Sequence, residues 1–286
     1  MKKILAVALV ATVLVSWLRA ASPVSLPDPA ADDPLASSPG KASLVIAGGC
    51  FWGIEELYQH VRGVTDAVSG YSGGTAREAN YEIVSLGTTG HAESVKVTYD
   101  PSQISVGQLL KIFFAVAHDP TQKGGQGPDM GPQYRSVIFD ADERQQTLAS
   151  AYIEQLTAAK TFKRSITTKV VPLTAFYEAE AYHQDYAAHH PNQPYIVIND
   201  KPKVDALKTR TSWCTRSAWR GRTRDRAEGM AAGTVLPEAA TAADTGTTGA
   251  AGNRRAAPIF NEATEAMGAA ATAGAAEASV AGAEAT

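Results

Sequence analysis

The chain has 286 residues, of which 44% are hydrophobic and 19% charged, and its formal net charge at pH 7 is −3. This charge argues against a nucleic-acid-binding protein, because such proteins usually carry clustered positive charge. Between a leader and a tail of different composition, about 170 residues with ordinary apolar content remain, which is enough for one well-buried domain.

The chain opens with the pattern of an export signal. Two lysines precede an unbroken run of apolar and small residues from Ile4 to Leu18, and small residues follow Arg19. The run is short for a membrane span and ends in residues suited to cleavage. We therefore expect a signal peptide at residues 1–21 and an exported protein, periplasmic or secreted, with no integral membrane domain in its mature form. An uncleaved anchor is the alternative, because Arg19 interrupts the small-residue pattern.

Composition shifts mark the edges of one domain. Residues 22–41 are rich in Pro, Ser, Asp and Ala without an apolar period, which predicts a linker that acts as a tether. Residues 213–286 contain few large apolar side chains and predict a low-complexity, disordered tail. We expect the catalytic domain at residues 42–212.

The first elements of this domain alternate between strand and helix periods. Residues 43–49 (SLVIAGG) predict a short buried strand. Residues 51–61 (FWGIEELYQHV) place apolar side chains at helical spacing. Residues 93–100 (ESVKVTYD) alternate apolar and polar side chains, which predicts a half-buried strand.

The later elements continue this mixture. Residues 105–119 predict a helix, because Ser105 and Gln108 have the spacing of a capping box. Asp140 can cap a long helix over about residues 141–160. Three further stretches predict strands, namely YRSVIFD at residues 134–140, ITTKVVPL at 166–173 and YIVIN at 195–199. The order favours an α+β fold in which helices pack on a single mixed sheet.

Cys50 stands out as a candidate nucleophile. Gly48 and Gly49 end the first predicted strand and allow a sharp turn, so Cys50 is expected at a helix N-terminus. A free thiol of pKa about 8.5 is only a few per cent thiolate at neutral pH, and the positive end of a helix dipole favours the anion. The alternative is a buried structural cysteine, since free cysteines are among the most buried residues.

Four stretches carry a resemblance to a known family. They are GGCFWGIEE from residue 48, NYEIVSLGTTGHAESVKVTYDP from residue 80, HDPTQKGGQGPDMGPQYRS from residue 118 and EAEAYHQDYAAHHPNQPYI from residue 178. From about Leu44 to Leu207 the chain resembles the A-type peptide methionine sulfoxide reductases. The resemblance implies a ferredoxin-like α/β sandwich. It also implies reduction of the S epimer of methionine sulfoxide, free or in a protein, by a sulfenic-acid mechanism.

The resemblance assigns roles to the residues around the thiol. It implies that Cys50 attacks the sulfoxide sulfur and that Phe51 and Trp52 form an apolar pocket for the substrate methyl group. Ordinary core packing is the alternative for the two aromatic residues.

The same resemblance implies a group of oxygen-binding side chains. Glu93 matches the acid that protonates the departing oxygen, Tyr81 and Tyr134 match the hydroxyls that hold it, and Asp129 matches a carboxylate that organises the site. An ordinary glutamic acid of pKa about 4.3 is almost fully ionised at pH 7. Glu93 must therefore be partly buried, with its pKa raised to about 6 or 7. A surface charge at a strand end is the alternative.

Cys214 is the second cysteine of the chain. Family members often carry recycling cysteines near the C-terminus, which close a disulfide with the nucleophile and pass electrons to a thioredoxin-like protein. Cys214 lacks family-like neighbours, but the dozen or so residues after Asn199 can span up to about 40 Å. We predict Cys214 as the resolving thiol, and direct reduction of Cys50 by an external thiol is the alternative.

The expected partners also follow from the resemblance. It implies no bound cofactor, and an external thiol such as a thioredoxin-like protein or dithiothreitol as reductant. The substrates are oxidised proteins or free methionine sulfoxide. We expect a monomer that binds no nucleic acid.

Two other functions are alternatives for a chain with this cysteine and these histidines. A secreted Cys/His acyl-transfer enzyme would use Cys50 with His91 or His183 as base. A non-catalytic module would bind oxidised proteins through the aromatic pocket. We expect no metal, because no cysteine or carboxylate completes a known site with the histidines.

Overall fold

A computed structural model describes residues 26–209 of the chain. The predicted signal peptide, Cys214 and the predicted tail lie outside the described residues. None of the helices within residues 26–209 has the length and apolar character that crossing a membrane requires.

One six-stranded sheet forms the centre of the fold, and two further strands pair as a ribbon. The strands are β1 (Ala42–Ala47), β2 (Val64–Ser72), β3 (Ala92–Tyr99), β4 (Gly125–Gln126), β5 (Asp129–Met130), β6 (Val137–Asp140), β7 (Lys169–Pro172) and β8 (Phe176–Glu178). The sheet order is β7-β6-β1-β3-β2-β8, and β4 pairs with β5. Every pairing in the sheet is antiparallel except that of β6 with β7, so the sheet is mixed.

Helices pack on this sheet. They are α1 (Phe51–Gln59), α2 (Tyr81–Val84), α3 (Val106–Ile112), α4 (Glu143–Ala158), α5 (Tyr186–His189) and α6 (Lys201–Lys208). Short 3₁₀ turns lie at Ala76–Glu78, Pro132–Tyr134 and Ala181–His183, and π-helical turns lie at Phe113–Ala117 and Ile196–Asp200. Helix α1 packs on β2 and β3 and buries Ile54, Leu57 and Tyr58 completely. The predicted α+β class is confirmed.

Several local predictions are confirmed in detail. Strands β1, β6 and β7 and helix α1 form where the apolar periods placed them. Helix α3 begins with the predicted capping box, in which the backbone N–H of Gln108 donates to Ser105 Oγ and the Gln108 side chain accepts from the Ser105 N–H. The strand β2 was not predicted, because its sequence VTDAVSGYS mixes polar residues and glycine within the apolar pattern.

Other local predictions are wrong. Strand β3 is not half-buried, because it lies between β1 and β2 and all but one of its residues are buried. Helix α4 is capped by Asp142, which accepts from the Gln145 N–H at 2.8 Å, and not by Asp140.

Residues 195–199 were predicted as a strand and are helical. Ile196 and Asp200 are fully buried whereas Ile198, between them, is exposed, which is helical and not strand spacing. Packing against α1 decides the structure here, despite the β-branched composition.

Residues 26–41 do not form a free tether. Leu26 is buried in the main hydrophobic core, and Tyr152 Oη donates to the Pro27 carbonyl at 2.9 Å. Asp32 accepts hydrogen bonds from Ser105 Oγ and from the Gly107 N–H at the start of α3. Composition alone missed this docking, because the partners of these polar groups lie far along the chain.

Candidate active site

Cys50 lies at the turn from β1 into α1, at the N-cap position of the helix. Gly49 has a φ of 104°, and a Cβ at this residue would approach Gln126 Cγ to 2.8 Å, so both conformation and space require glycine. The predicted helix-start position of Cys50 is confirmed. Its side chain is only 8% exposed.

The electrostatic surroundings of Cys50 differ from the expectation. Burial raises the pKa of the thiol well above its ordinary value, and the nearby carboxyl groups of Glu93, Asp200 and Asp129 raise it further. A hydrogen bond with the Trp52 backbone acts in the opposite direction but is the smaller effect. The resting site therefore holds a protonated thiol, because desolvation outweighs the start of the helix.

Glu93 lies on β3 directly beside the start of α1. Its side chain is 2% exposed, and Oε2 accepts a hydrogen bond from the Phe51 N–H at 3.1 Å. Burial raises the pKa of Glu93 to about 8, with a further contribution from the charge of Asp129. The burial that the sequence argument required is present. The carboxyl group is thus mainly protonated at pH 7 and is able to donate a proton.

Two tyrosines face this acid. Tyr81 is the first residue of α2, and Tyr134 ends the 3₁₀ turn after β5. Burial raises the pKa of each phenol, and interactions with Glu93 and Cys50 raise it further. Both hydroxyls therefore stay protonated. The structure brings together these two predicted site residues with Cys50 and Glu93.

Asp129 lies on β5 at the same site. Its carboxylate accepts a hydrogen bond from Tyr195 Oη. Burial raises the pKa of Asp129, whereas the bond from Tyr195 and the charge of Lys203 act to lower it. Tyr195 was not singled out in the sequence, although it falls within the stretch of the family resemblance that begins at residue 178.

Trp52 is held by aromatic and polar contacts. Its ring stacks on Tyr186 with centroids 3.7 Å apart and planes at 10°. Its Nε1–H donates to His183 Nδ1 at 3.1 Å. The Phe51 ring lies 5.0 Å from the His183 ring and is itself buried. Phe51 and Trp52 are therefore held in fixed positions directly after Cys50 in the chain.

Asp200 is a further group that sequence reasoning missed. It is fully buried and pairs with Lys203 Nζ at 2.9 Å. A Cβ at Gly53, in the first turn of α1, would lie 2.0 Å from Asp200 Oδ1, so only glycine permits this approach. No local pattern identifies Asp200, because its position beside α1 depends on the packing of the helical turn Ile196–Asp200 against that helix.

The histidines do not act as bases for Cys50 in this arrangement. His183 Nδ1 is occupied by the Trp52 indole, and burial lowers the pKa of His183 to about 4. His91 Nε2 is hydrogen-bonded to the Thr75 carbonyl at 2.9 Å. Within the described residues no group of three His, Cys, Asp or Glu side chains is arranged to hold a metal ion.

A cavity of about 420 Å³ lies elsewhere, lined by residues that include Gln122, Lys123, Arg135, Thr167 and Lys169. None of the predicted site residues lines it. The chemistry is therefore assigned from the side chains around Cys50 and not from cavity size.

Comparisons with known proteins place the chain among methionine sulfoxide reductases. A family model described as peptide methionine sulfoxide reductase matches residues 42–215. A peptide methionine sulfoxide reductase MsrA 2 of Mesorhizobium japonicum is 52% identical over 172 residues, which cover 60% of this chain and 88% of that protein. An MsrA of Thermus thermophilus is 47% identical over 163 residues, covering 57% of this chain and 91% of that protein. The crystal structure of Mxr1 from Saccharomyces cerevisiae in reduced form has a TM-score of 0.50 and 31% identity, covering 56% of this chain and 94% of the other.

Proposed function

This chain belongs to the peptide methionine sulfoxide reductase family, and we propose a reaction mechanism that assigns a role to each residue of the site. The enzyme is an oxidoreductase that catalyses the thiol-dependent reduction of the S epimer of methionine sulfoxide to methionine. One observation carries the proposal. The residue after the nucleophile, Phe51, binds the buried acid Glu93 through its backbone N–H, which fixes thiol and acid side by side.

In the first step Cys50 Sγ attacks the sulfoxide sulfur while Glu93 donates its proton to the sulfoxide oxygen. The oxygen, now protonated, then passes to Cys50 Sγ. In this transfer the S–O bond of the substrate and the S–S bond formed by the attack both break, methionine leaves, and Cys50 becomes a sulfenic acid. The substrate sulfur gains two electrons and the Cys50 sulfur loses two. The thiol proton of Cys50 passes to the Glu93 carboxylate, so the acid ends the step protonated, as it began.

The other site residues orient the substrate. Tyr81 and Tyr134 donate hydrogen bonds to the sulfoxide oxygen, which becomes a better leaving group as it gains a proton. Asp129 organises this region through its bond with Tyr195. Trp52, held by its stacking and by His183, meets the methyl group of the substrate.

In the second stage thiols reduce the sulfenic acid. Attack of one thiol on the Cys50 sulfur releases the oxygen as water and forms a disulfide, which a second thiol then reduces. Cys214 is proposed as the first of these thiols, and a thioredoxin-like protein as the external reductant. Dithiothreitol replaces both in vitro.

Export of the protein is part of the proposal. The apolar run of residues 4–18, with lysines before it and small residues after it, supports a signal peptide. The substrates would then be proteins oxidised in the periplasm or outside the cell.

The reaction is tested with the full chain, dithiothreitol and the separate epimers of methionine sulfoxide. We expect methionine from the S epimer and no turnover of the R epimer. Turnover of the R epimer alone would overturn the proposal.

The role of Cys214 is tested separately by mass spectrometry after one turnover without reductant. We expect a disulfide between Cys50 and Cys214, and a Cys50 sulfenic acid in the Cys214→Ser variant. A stable sulfenic acid in the unmodified chain contradicts the resolving role and leaves an external thiol as the reductant of Cys50.

A further inference from the structure

Exposed apolar side chains lie in three separate segments of the chain, each of which also carries a residue of the site or one of its ring neighbours. We define the apolar rim as Ile83, Leu86, Met130 and Tyr182. Leu86 is 71% exposed, Met130 70% and Tyr182 56%, whereas Ile83 is partly covered. Large apolar side chains with this exposure contribute nothing to the core, so their grouping needs another explanation.

Each member of the rim is tied to a residue of the site. Ile83 lies in α2, which Tyr81 begins, and Leu86 follows that helix. Met130 follows Asp129 on β5. Ile83, Leu86 and Met130 are therefore close along the chain to Tyr81 and Asp129.

Tertiary contacts bring these segments together. Gln133 Nε2, three residues after Met130, donates to the Ser85 carbonyl at 3.0 Å, beside Leu86. The Tyr81 ring lies 4.5 Å from the ring of His183, the neighbour of Tyr182. The rim is thus one surface assembled from three parts of the chain.

The geometry of the substrate requires contact with this surface. A methionine side chain reaches only about 5 Å from its Cα, and neighbouring residues in an extended chain follow at about 3.4 Å each. When the sulfoxide reaches buried Cys50, the residues on either side of the oxidised methionine must lie against the mouth of the site. If those flanking residues are apolar, their side chains and those of the rim bury apolar surface against each other, which favours binding.

We propose that the apolar rim binds the residues that flank the oxidised methionine, so that the enzyme prefers S-sulfoxides in apolar stretches of polypeptide. Such stretches are exposed in unfolded or locally opened proteins. This inference rests on the proposed function, because it concerns access to the same thiol.

The test compares two pentapeptides with a central methionine S-sulfoxide, one flanked by leucine and one by glycine, with dithiothreitol as reductant. We expect the full chain to prefer the leucine-flanked peptide. In the double variant Leu86→Ser/Met130→Ser, the ratio of kcat/KM for the leucine peptide to that for the glycine peptide should fall about tenfold. The double variant Leu86→Met/Met130→Leu keeps the apolar surface, so its ratio of kcat/KM for the two peptides should equal that of the unmodified chain.

Leu35→Ser is the matched control. Leu35 is 50% exposed, and the N–H of its neighbour Ala36 donates to the Pro101 carbonyl. Pro101 lies just beyond the C-terminal end of β3, and that end of the strand is about 20 Å from Glu93. Its ratio should equal that of the unmodified chain. An unchanged ratio in Leu86→Ser/Met130→Ser overturns the inference, as does an equal loss with both peptides.

Two further outcomes separate the alternatives. A variant that loses only affinity for a thioredoxin-like reductant would assign the rim to the reductant and overturn our proposal. If the unmodified chain reduces neither peptide nor free methionine S-sulfoxide, the proposed function fails, whereas reduction of both peptides at equal rates refutes only the rim.

Discussion

Two carboxyl groups at the two ends of strand β3 behave in opposite ways. Glu93 lies near the start of the strand, at the active site, and its pKa is raised to about 8. Asp100 directly follows the strand, beside the docked segment 26–41, and its pKa is lowered to about 2. Both residues have little exposed surface, but desolvation is the largest influence on the pKa of Glu93 and only a minor one on the pKa of Asp100.

The two carboxyl groups also differ in their hydrogen-bond donors. Glu93 accepts one hydrogen bond, from the Phe51 N–H, and desolvation dominates. Asp100 accepts from Gln103 Nε2, from the N–H and hydroxyl of Ser102, and from the Gly40 N–H. Donors stabilise the charged carboxylate, and their scarcity leaves the neutral acid favoured. At the active-site end of β3 the protonated carboxyl group of Glu93 is therefore favoured, whereas at the other end the ionised carboxylate of Asp100 accepts hydrogen bonds that hold the structure together.

The largest effect should come from removing the proton donor. Glu93→Gln keeps the shape of the side chain but has no acidic proton, so we expect kcat for the S epimer to fall by about 10² to 10⁴. Asp100→Asn is the matched control and should leave kcat near the unmodified value. Single-turnover measurements of sulfenic acid formation check both variants, and an unchanged rate in Glu93→Gln removes this residue from the mechanism.

The pH profile should show the raised pKa of Glu93 directly. The single-turnover rate should be level below pH 8 and fall about tenfold per pH unit well above it, because the neutral acid is lost. Asp129→Asn removes a charge that raises this pKa, so the decline should begin at lower pH. Rapid-quench measurements from pH 6 to 10 test this. A decline at the same pH in Asp129→Asn contradicts the electrostatic coupling.

Acid unfolding should separate the two ends of β3. The pKa of Asp100 is lower in the folded state, so its contribution to stability is present above its unfolded pKa and is lost as the pH falls from about 4 to about 2. Asp100→Asn should therefore lower the Tm at pH 6, and the difference from the unmodified chain should shrink as the pH falls toward 2. Glu93 has the opposite sign, because its contribution is complete below its unfolded pKa and is lost as the pH rises through about 8. Calorimetry across this range measures both, and a pH-independent difference for Asp100→Asn speaks against the assignment.

The smallest effect should come from the docked segment. Asp32→Ala removes the acceptor for Ser105 Oγ and the Gly107 N–H, which should cost about 1 kcal/mol of the free energy of unfolding. The kcat should not change, since Asp32 bonds to the start of α3, which carries none of the predicted site residues. Urea unfolding measures the change in the free energy of unfolding, and steady-state kinetics measure kcat. A lower kcat under conditions where Asp32→Ala is fully folded would show that the docked segment is coupled to the active site.

Local features of the sequence were enough for much of the fold. The apolar periods predicted β1 and α1, and the capping box predicted the start of α3, because these features involve residues close in the chain. The paired glycines before Cys50 predicted its place at a helix start. The resemblance supplied Glu93, Tyr81, Tyr134 and Asp129, whose spacing along the chain shows no local period.

Other features depend on contacts between distant residues. The helical turn at 196–200 overrides β-branched composition because packing under α1 buries Ile196 and Asp200. The docking of residues 26–41 depends on acceptors and donors on α3 and α4. The sequence by itself predicted several of the elements and the helix-start position of Cys50, and the family resemblance predicted the roles of Cys50 and Glu93. Only the tertiary structure decided that Cys50 is protonated and that Glu93 keeps its proton, because a pKa depends on desolvation and on neighbours brought together by folding.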